Sequence, residues 1–516
     1  MRLKRKHRTT TVVTSLALVL GACSGGSYST GPSPTGSDQL APPAQATVPS
    51  LVPPNGEPYD AVFFDNPGVN PFIDTEDDPL STFALDVDTG SYTVARRYLS
   101  DGYLPDEDSV RVEEFVNYFE QDYPVPSYEE GLSLSVDGGS TPFVQNARNQ
   151  IVRIGVQAGQ LDDAQRGEAN LVFVIDTSGS MAREDRLGLV KRSLELLVSS
   201  LRPTDTIAIV AYGSSAYEVL PPTAVGEEGA IIRAIDALRP DGSTNAAHGL
   251  ELGYRLANQA FEPGGINRVI LCSDGVANVG AATDADGILD LIANDAERGI
   301  QLVTVGFGMG NYNDVLMEQL ADQGDGFYSY VDTLDEARRI FVDGLSGTLQ
   351  TVAEEAKIQV AFDADAVQSW RLIGFENRAI EDDDFRDDSV DAGEIGAGHT
   401  VTALYEIKPV EGAQGQLGVT TLRWLDPETK EAREIDRPIS MAEMVNEFSD
   451  ASPRFQLDVV VAQYAEVLRE SIWAMQTGSD LEEVANWAAQ LSTVLPEDPD
   501  VAEFAGLARQ AAAIES

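Results

Sequence analysis

The sequence contains very little cysteine and histidine, and each shortage excludes a kind of site. The two cysteines are Cys23 and Cys272. If Cys23 carries a lipid, no intramolecular disulfide can form, even in an oxidising compartment. Cys272 lies in an apolar run and is expected to be a small buried hydrophobic residue. The three histidines, His7, His248 and His399, exclude a histidine-rich zinc site.

Positive charge is also scarce. The 516 residues include 35 lysines and arginines against 84 aspartates and glutamates, so the formal net charge is −49. Such a surface repels phosphate backbones, and a nucleic-acid partner is therefore not expected. It attracts cations and basic partners. Solubility or adaptation to salt is the simplest explanation of the composition itself.

Several catalytic motifs are missing. The sequence has no Gly-x-Ser-x-Gly elbow and no glycine-rich phosphate loop, although residue counts alone do not exclude a Ser-His-Asp triad. Asp88-Thr89-Gly90 has the letters of an aspartic-protease site, but that chemistry needs two carboxylates and no second copy occurs. The same stretch has its threonine one place too early for an aspartate phosphatase. The acidic run at 381–391 lacks the spacing of a calcium loop and is expected to be a solvated loop.

The N-terminus has the pattern of an export signal. Five lysines and arginines lie within positions 2–8, and the apolar stretch at 12–20 is too short to span a bilayer. The segment ends in Leu20-Gly21-Ala22-Cys23, which resembles the bacterial lipobox, whose cysteine is lipidated and becomes the mature N-terminus. We therefore expect a signal peptide at 1–22 and a lipidated Cys23 that holds the protein to the extracytoplasmic face of a membrane. An ordinary signal peptide with an incidental cysteine is the alternative.

Composition and periodicity divide the rest of the chain. Residues 23–58 are rich in Ser, Gly, Pro and Thr and are expected to form a disordered tether. Strand-like and helical patterns alternate between 168 and 349, which predicts a doubly wound parallel sheet with helices on both faces. The predicted strands there are 171–175, 207–211, 269–272 and 302–307, and the predicted helices are 187–201, 231–238 and 288–296.

The flanking regions are richer in strands. An N-terminal region at 59–167 and a β-rich C-terminal region at 350–450 are expected to pair into one β-rich domain beneath the α/β domain. A helical C-terminal region follows at 451–516. The predicted strands are 81–88, 132–136, 151–156, 358–362, 369–373, 400–407 and 417–424; the predicted helices are 110–119, 459–475, 481–491 and 501–514.

Oxygen-bearing side chains follow two of the predicted parallel strands. Asp176, Ser178 and Ser180 come directly after the strand at 171–175, and Asp274 follows the strand at 269–272. Because ligands of open parallel sheets bind at the carboxyl ends of strands, these side chains are expected at one edge. With Thr244, from a third loop, they form a set of hard ligands suited to Mg²⁺.

This set resembles the metal-ion-dependent adhesion site of the von Willebrand factor type A (VWA) family, in which Asp-x-Ser-x-Ser is followed by a threonine and then by an aspartate. The resemblance implies a VWA fold that holds Mg²⁺, with Mn²⁺ or Ca²⁺ as alternatives, through Asp176, Ser178, Ser180, Thr244 and Asp274. An acidic side chain of a partner protein would complete the site. Segments 79–119 and 370–407 also resemble the flanking regions of bacterial envelope VWA proteins. One departure is Ala246-Ala247-His248, where the family is richer in glycine, and a bulky histidine there restricts access.

The resulting prediction is a membrane-anchored protein-binding or adhesion module. A metal-dependent hydrolase is the alternative from another class, because a bound cation can activate water. Against it, no general base or nucleophile stands beside the predicted ligands, so we do not expect an enzyme. A structural envelope scaffold, in which the metal only stiffens loops, is the third possibility.

Overall fold

The computed structural model describes residues 64–143, 148–161, 166–274, 287–288, 298–309, 313–390 and 392–515. The predicted signal peptide, Cys23, the tether and nearly all of the helix predicted at 288–296 lie outside these residues. Within them, no helix combines the length and the apolar character needed to cross a bilayer.

The strands of the described residues are β1 Ile73–Asp74, β2 Leu80–Ala84, β3 Leu132–Gly139, β4 Gln150–Ala158, β5 Ala169–Asp176, β6 Thr206–Tyr212, β7 Ala216–Ala224, β8 Ile266–Ser273, β9 Gln301–Phe307, β10 Tyr328–Val331, β11 Thr351–Phe362, β12 Val367–Ile373, β13 Gly393–Gly396, β14 Thr400–Pro409, β15 Gln416–Leu425, β16 Ala432–Ser440 and β17 Met444–Val445.

The α-helices are α1 Gly90–Ser100, α2 Val112–Asn117, α3 Leu189–Ser200, α4 Glu228–Ala237, α5 Ala246–Gln259, α6 Asp314–Asp322, α7 Leu334–Arg338, α8 Leu345–Leu349, α9 Pro453–Leu468, α10 Ile472–Thr477, α11 Leu481–Val494 and α12 Pro499–Glu515.

The central sheet has the strand order β10-β9-β8-β5-β6-β7. Its strands run parallel except for β7, which is antiparallel to β6. All of β5 is buried, because α3 and α4 pack on one face of the sheet and α5 and α6 on the other. The predicted doubly wound sheet is confirmed. The antiparallel edge was not predicted, since β7 contains two prolines and is partly exposed, which is the burial pattern of an edge strand.

The flanking segments form a second, β-rich body of two sheets. One sheet has the order β1-β12-β14-β4-β3-β17; the other has β13-β11-β15-β16, with β2 paired to β11. N-terminal strands thus pair directly with C-terminal ones, as in β4 with β14. Apolar side chains of both sheets share one core. The prediction of a β-rich domain built from both flanks is confirmed.

The C-terminal helices pack on the N-terminal ones. Phe115 of α2, Tyr464 of α9 and Phe504 of α12 belong to one buried cluster. The single helix predicted at 459–475 is wrong, because the chain breaks into α9 and α10. Glu470 adopts a φ of 51° at the break, and Ser471 caps α10 by accepting a hydrogen bond from the Trp473 amide.

Candidate metal centre

The turn after β5 gathers three of the predicted ligands. Asp176 is completely buried, and its Oδ1 accepts a hydrogen bond from the Ser178 amide at 2.7 Å. The hydroxyls of Ser178 and Ser180 lie 2.9 Å apart. This is the local geometry expected when a carboxylate ends a parallel strand and caps the backbone beyond it.

The neighbouring strand β8 positions the fourth predicted ligand, Asp274. Parallel pairing of β5 and β8 sets Ile175 beside Cys272, so Asp176 and Asp274 leave the sheet at the same edge. Ser273 links them further by donating its hydroxyl to Asp176 Oδ2 at 3.0 Å. Ser180 favours the ionised form of Asp274, and Arg186 donates to both the Ser180 carbonyl and Asp274 Oδ2. The structure therefore brings Asp176, Ser178, Ser180 and Asp274 together.

The loop that leads to Thr244 is attached to this edge by two backbone hydrogen bonds. The Gly179 amide donates to the Gly242 carbonyl at 3.0 Å, and the Asp241 amide donates to the Thr177 carbonyl at 2.5 Å. A Cβ on Gly213 would lie 2.1 Å from the Asp241 carbonyl oxygen, so only glycine allows this approach. Thr244 follows two residues after Gly242 and is buried, at 2% exposure.

Electrostatics at this edge favour a cation. Burial and then the charge of Asp274 raise the pKa of Asp176 to about 7. Burial also raises the pKa of Asp274, although Ser180 and Arg186 oppose the shift. Asp274 Oδ1 is buried and has no hydrogen-bond partner among the described residues. A buried carboxylate oxygen without a donor is costly, and a bound cation would satisfy it.

Hydroxyl groups are essential to any metal site here. Among the residues that the structure describes, no three acidic, histidine or cysteine side chains converge to hold an ion. Two carboxylates with serine and threonine hydroxyls still make an oxygen-only set, the type that Mg²⁺ prefers. The residues present thus fit a hard divalent cation.

Arg186 is a member of this centre that sequence reasoning missed. Its Nη1 donates to Asp274 Oδ2 at 2.8 Å and to the Ser180 carbonyl at 3.0 Å. The side chain is 4% exposed. The only sequence signal is a basic residue shortly after the serine turn, which on its own resembles any surface arginine.

His248 contacts the chain at the start of β7. Its side chain is exposed, and Nδ1 accepts a hydrogen bond from the Ala216 amide at 3.1 Å. The imidazole is therefore held against the start of β7.

The chain's similarity to known proteins covers most of its length. Family models match for the von Willebrand factor at 59–153, the von Willebrand factor type A domain at 170–343 and the C-terminal region of the uncharacterized protein YfbK at 347–514. The Escherichia coli (strain K12) uncharacterized protein YfbK is 36% identical over 455 residues, covering 83% of this chain and 77% of the relative. The chain belongs to the YfbK family.

Other matches are more distant. The uncharacterized protein sll0103 of Synechocystis sp. is 30% identical over 190 residues, covering 37% of this chain and 44% of the relative. A solved von Willebrand factor type A structure from Catenulispora acidiphila is 15% identical, with a TM-score of 0.43, and the match covers 73% of this chain and 89% of that one.

The resemblance inferred from the sequence motifs is confirmed: this YfbK-family chain contains a VWA domain. VWA domains commonly bind a divalent metal and often mediate interactions between proteins. The edge that carries Asp176 and Asp274 lies within the residues matched by the VWA family model.

Proposed function

We propose that this protein is a membrane-anchored, extracytoplasmic binding module that holds Mg²⁺ and grips a carboxylate of a partner protein. The convergence of Asp176, Ser178, Ser180 and Asp274, with one buried carboxylate oxygen of Asp274 left without a donor, carries the proposal. When bound, the ion supplies a positive charge that an acidic partner side chain neutralises.

The predicted ligands would contribute to ion binding in different ways. Asp176 and Asp274 supply the negative charge, and Ser178, Ser180 and Thr244 supply neutral oxygens. Backbone hydrogen bonds between Gly179 and Gly242 and between Thr177 and Asp241 hold the two loops in position before an ion binds. Such preorganisation reduces the entropy lost on binding.

Replacing Asp176 with asparagine is expected to weaken Mg²⁺ binding roughly 100-fold or more, because a direct ligand matters at least as much as the outer-shell groups that typically change affinity by that factor. Isothermal titration with MgCl₂ measures this. The matched control is Asp241→Asn, an exposed aspartate of the neighbouring loop, which should bind like the unmodified protein. Equal affinities for Asp176→Asn and the unmodified protein would contradict the metal assignment.

Partner binding has its own readout. Capture of a partner from envelope extract should disappear with EDTA and in Asp176→Asn, but persist in Asp241→Asn. If neither EDTA nor Asp176→Asn changes the capture, metal-bridged adhesion is ruled out. Phosphoester or peptide turnover that disappears only in Asp176→Asn would instead point to a hydrolase.

The membrane anchor is proposed from the N-terminal sequence. Replacing Cys23 with serine is expected to move the protein from the membrane fraction to the soluble fraction, because the acylated residue is lost. Immunoblotting of the two fractions measures the shift, with Cys272→Ser as the control, since Cys272 is buried in β8. Unchanged membrane association of Cys23→Ser would remove the lipid anchor from the proposal.

A further inference from the structure

Arg186 is a buried cation built into the edge that carries the candidate ligands. Besides its bonds to Asp274 Oδ2 and the Ser180 carbonyl, its Nη2 donates to the Met309 carbonyl. Arg186 is the guanidinium paired with Asp274 among the described residues. Arg186 and a cation bound at Oδ1 would therefore share the carboxylate of Asp274.

The fold reserves space for this side chain. Residues 184–188 form a π-helical turn before α3, a feature that often marks functional sites. Gly308, which follows β9, adopts a φ of 80°. A Cβ at this position would lie 2.4 Å from Arg186 Cγ. Two elements far apart in sequence are thus shaped around one guanidinium.

The charges at the edge can be counted. Asp176 and Asp274 bring two negative charges when ionised, and Arg186 brings one positive charge, so these three described side chains contribute a net charge of minus one. A divalent ion would change the sign to plus one. Without Arg186 the loaded edge would be neutral. A buried site is most stable when its charge is balanced, so the excess favours an anionic ligand.

We propose that Arg186 is a resident second cation of the metal centre, which weakens binding of the divalent ion and gives the loaded centre a net positive charge that one carboxylate of a partner balances. The inference rests on the proposed function and adds to it a residue that sets both metal affinity and ligand charge. Arg186 acts through Asp274 and is a positioning residue.

Replacing Arg186 also has an effect that would weaken metal binding, because Arg186 orients a ligand. Arg186 also fixes the rotamer of Asp274, and losing such outer-shell support ordinarily costs a site 10–100-fold in metal affinity. Removing a like charge that shares a carboxylate with the ion acts in the other direction. Ser180 also favours the ionised form of Asp274, so the carboxylate keeps one stabilising neighbour when Arg186 is replaced. We therefore expect the charge effect to dominate.

The experiment compares Arg186→Gln and Arg186→Lys by isothermal titration with MgCl₂, in chloride and in acetate buffers of equal ionic strength. Arg186→Gln should bind Mg²⁺ roughly tenfold tighter than the unmodified protein, a change of the size typical for outer-shell residues. Acetate should tighten Mg²⁺ binding to the unmodified protein and to Arg186→Lys, because binding of the two ions is reciprocally linked. The same acetate should have little effect on Arg186→Gln.

Each outcome decides a separate point. If Mg²⁺ binds the unmodified protein but Arg186→Gln binds it equally or more weakly and keeps the acetate effect, this inference is wrong and the proposed function stands. If Mg²⁺ does not bind the unmodified protein, both are wrong. Circular dichroism checks folding, and Arg186→Met, which retains the apolar stem, replaces Arg186→Gln if the latter does not fold.

Discussion

Replacing Arg111 with methionine is expected to lower the free energy of unfolding by about 3–5 kcal/mol. The Arg111 guanidinium donates to Glu114 at 3.0 Å, to Asp314 at 2.8 Å and to Glu318 at 2.6 Å. All four residues are buried. Methionine retains much of the volume but leaves three carboxylates without this cation in the interior. Chemical denaturation followed by circular dichroism measures the loss.

An exposed ion pair provides the control for this prediction. Arg386 bonds Glu434 at 2.9 and 3.1 Å, but its side chain is 63% exposed. Exposed pairs contribute about 1 kcal/mol or less, so Arg386→Met should change the free energy of unfolding little. Similar losses in the two variants would show that burial of the Arg111 network is not what makes it important.

The Arg111 network joins regions that are distant in sequence. Arg111 immediately precedes α2 of the N-terminal region, whereas Asp314 and Glu318 lie on α6 of the VWA domain. Glu318 also accepts from Arg378, which follows β12, at 3.3 Å. Loss of Arg111 should therefore loosen the contact between the VWA domain and its flanking regions.

Stability is expected to fall as the pH rises from about 5 to about 7. Burial, and then the charge of Glu376, raise the pKa of Glu113 to about 7. Its Oε2 is buried without a partner among the described residues. Between the unfolded and folded pKa values the native chain holds a proton that the unfolded chain has released, so stability is lost as the pH rises through 7. Burial likewise raises the pKa of Glu318 to about 7.

His399 has the opposite effect on the pH dependence of stability, and it acts over a lower pH range. Burial, and then the charges of Arg268 and Arg339, lower its pKa to about 4. The unfolded chain therefore binds the extra proton between about pH 4 and 6.5, and this group adds stability as the pH rises through that range. Two carboxyls with a raised pKa outweigh one histidine with a lowered pKa, so the net decline should extend from about pH 5 to about pH 7, measured as the melting temperature by calorimetry.

Glu113→Gln isolates the carboxyl contribution, because glutamine imitates the protonated acid. The variant should be more stable than the unmodified protein at pH 8 by about 3.5 kcal/mol, the equivalent of a shift from 4.5 to 7 at about 1.4 kcal/mol per pKa unit. The difference should shrink toward pH 5. A difference independent of pH would mean that Glu113 is ionised in the native protein throughout.

Much of the fold could be predicted from local pattern. The continuous apolar run at 171–175 is typical of a strand buried on both faces, and it became the centre of the VWA sheet as β5. Because β8 was predicted as a parallel strand, the sequence placed Asp176 and Asp274 at one sheet edge. β7 was missed, since its two prolines and exposed side chains hide the alternation of a strand.

The sequence by itself determined which segments are buried and which residue types end the parallel strands, because periodicity and oxygen-bearing side chains are local properties of the chain. Only the tertiary structure decided that Arg186 meets Asp274 beside Gly308, and that Arg111 meets Glu318. Burial periodicity shows that a face is covered but not which element covers it. A charged side chain acquires its role only when folding brings its partner within about 3 Å.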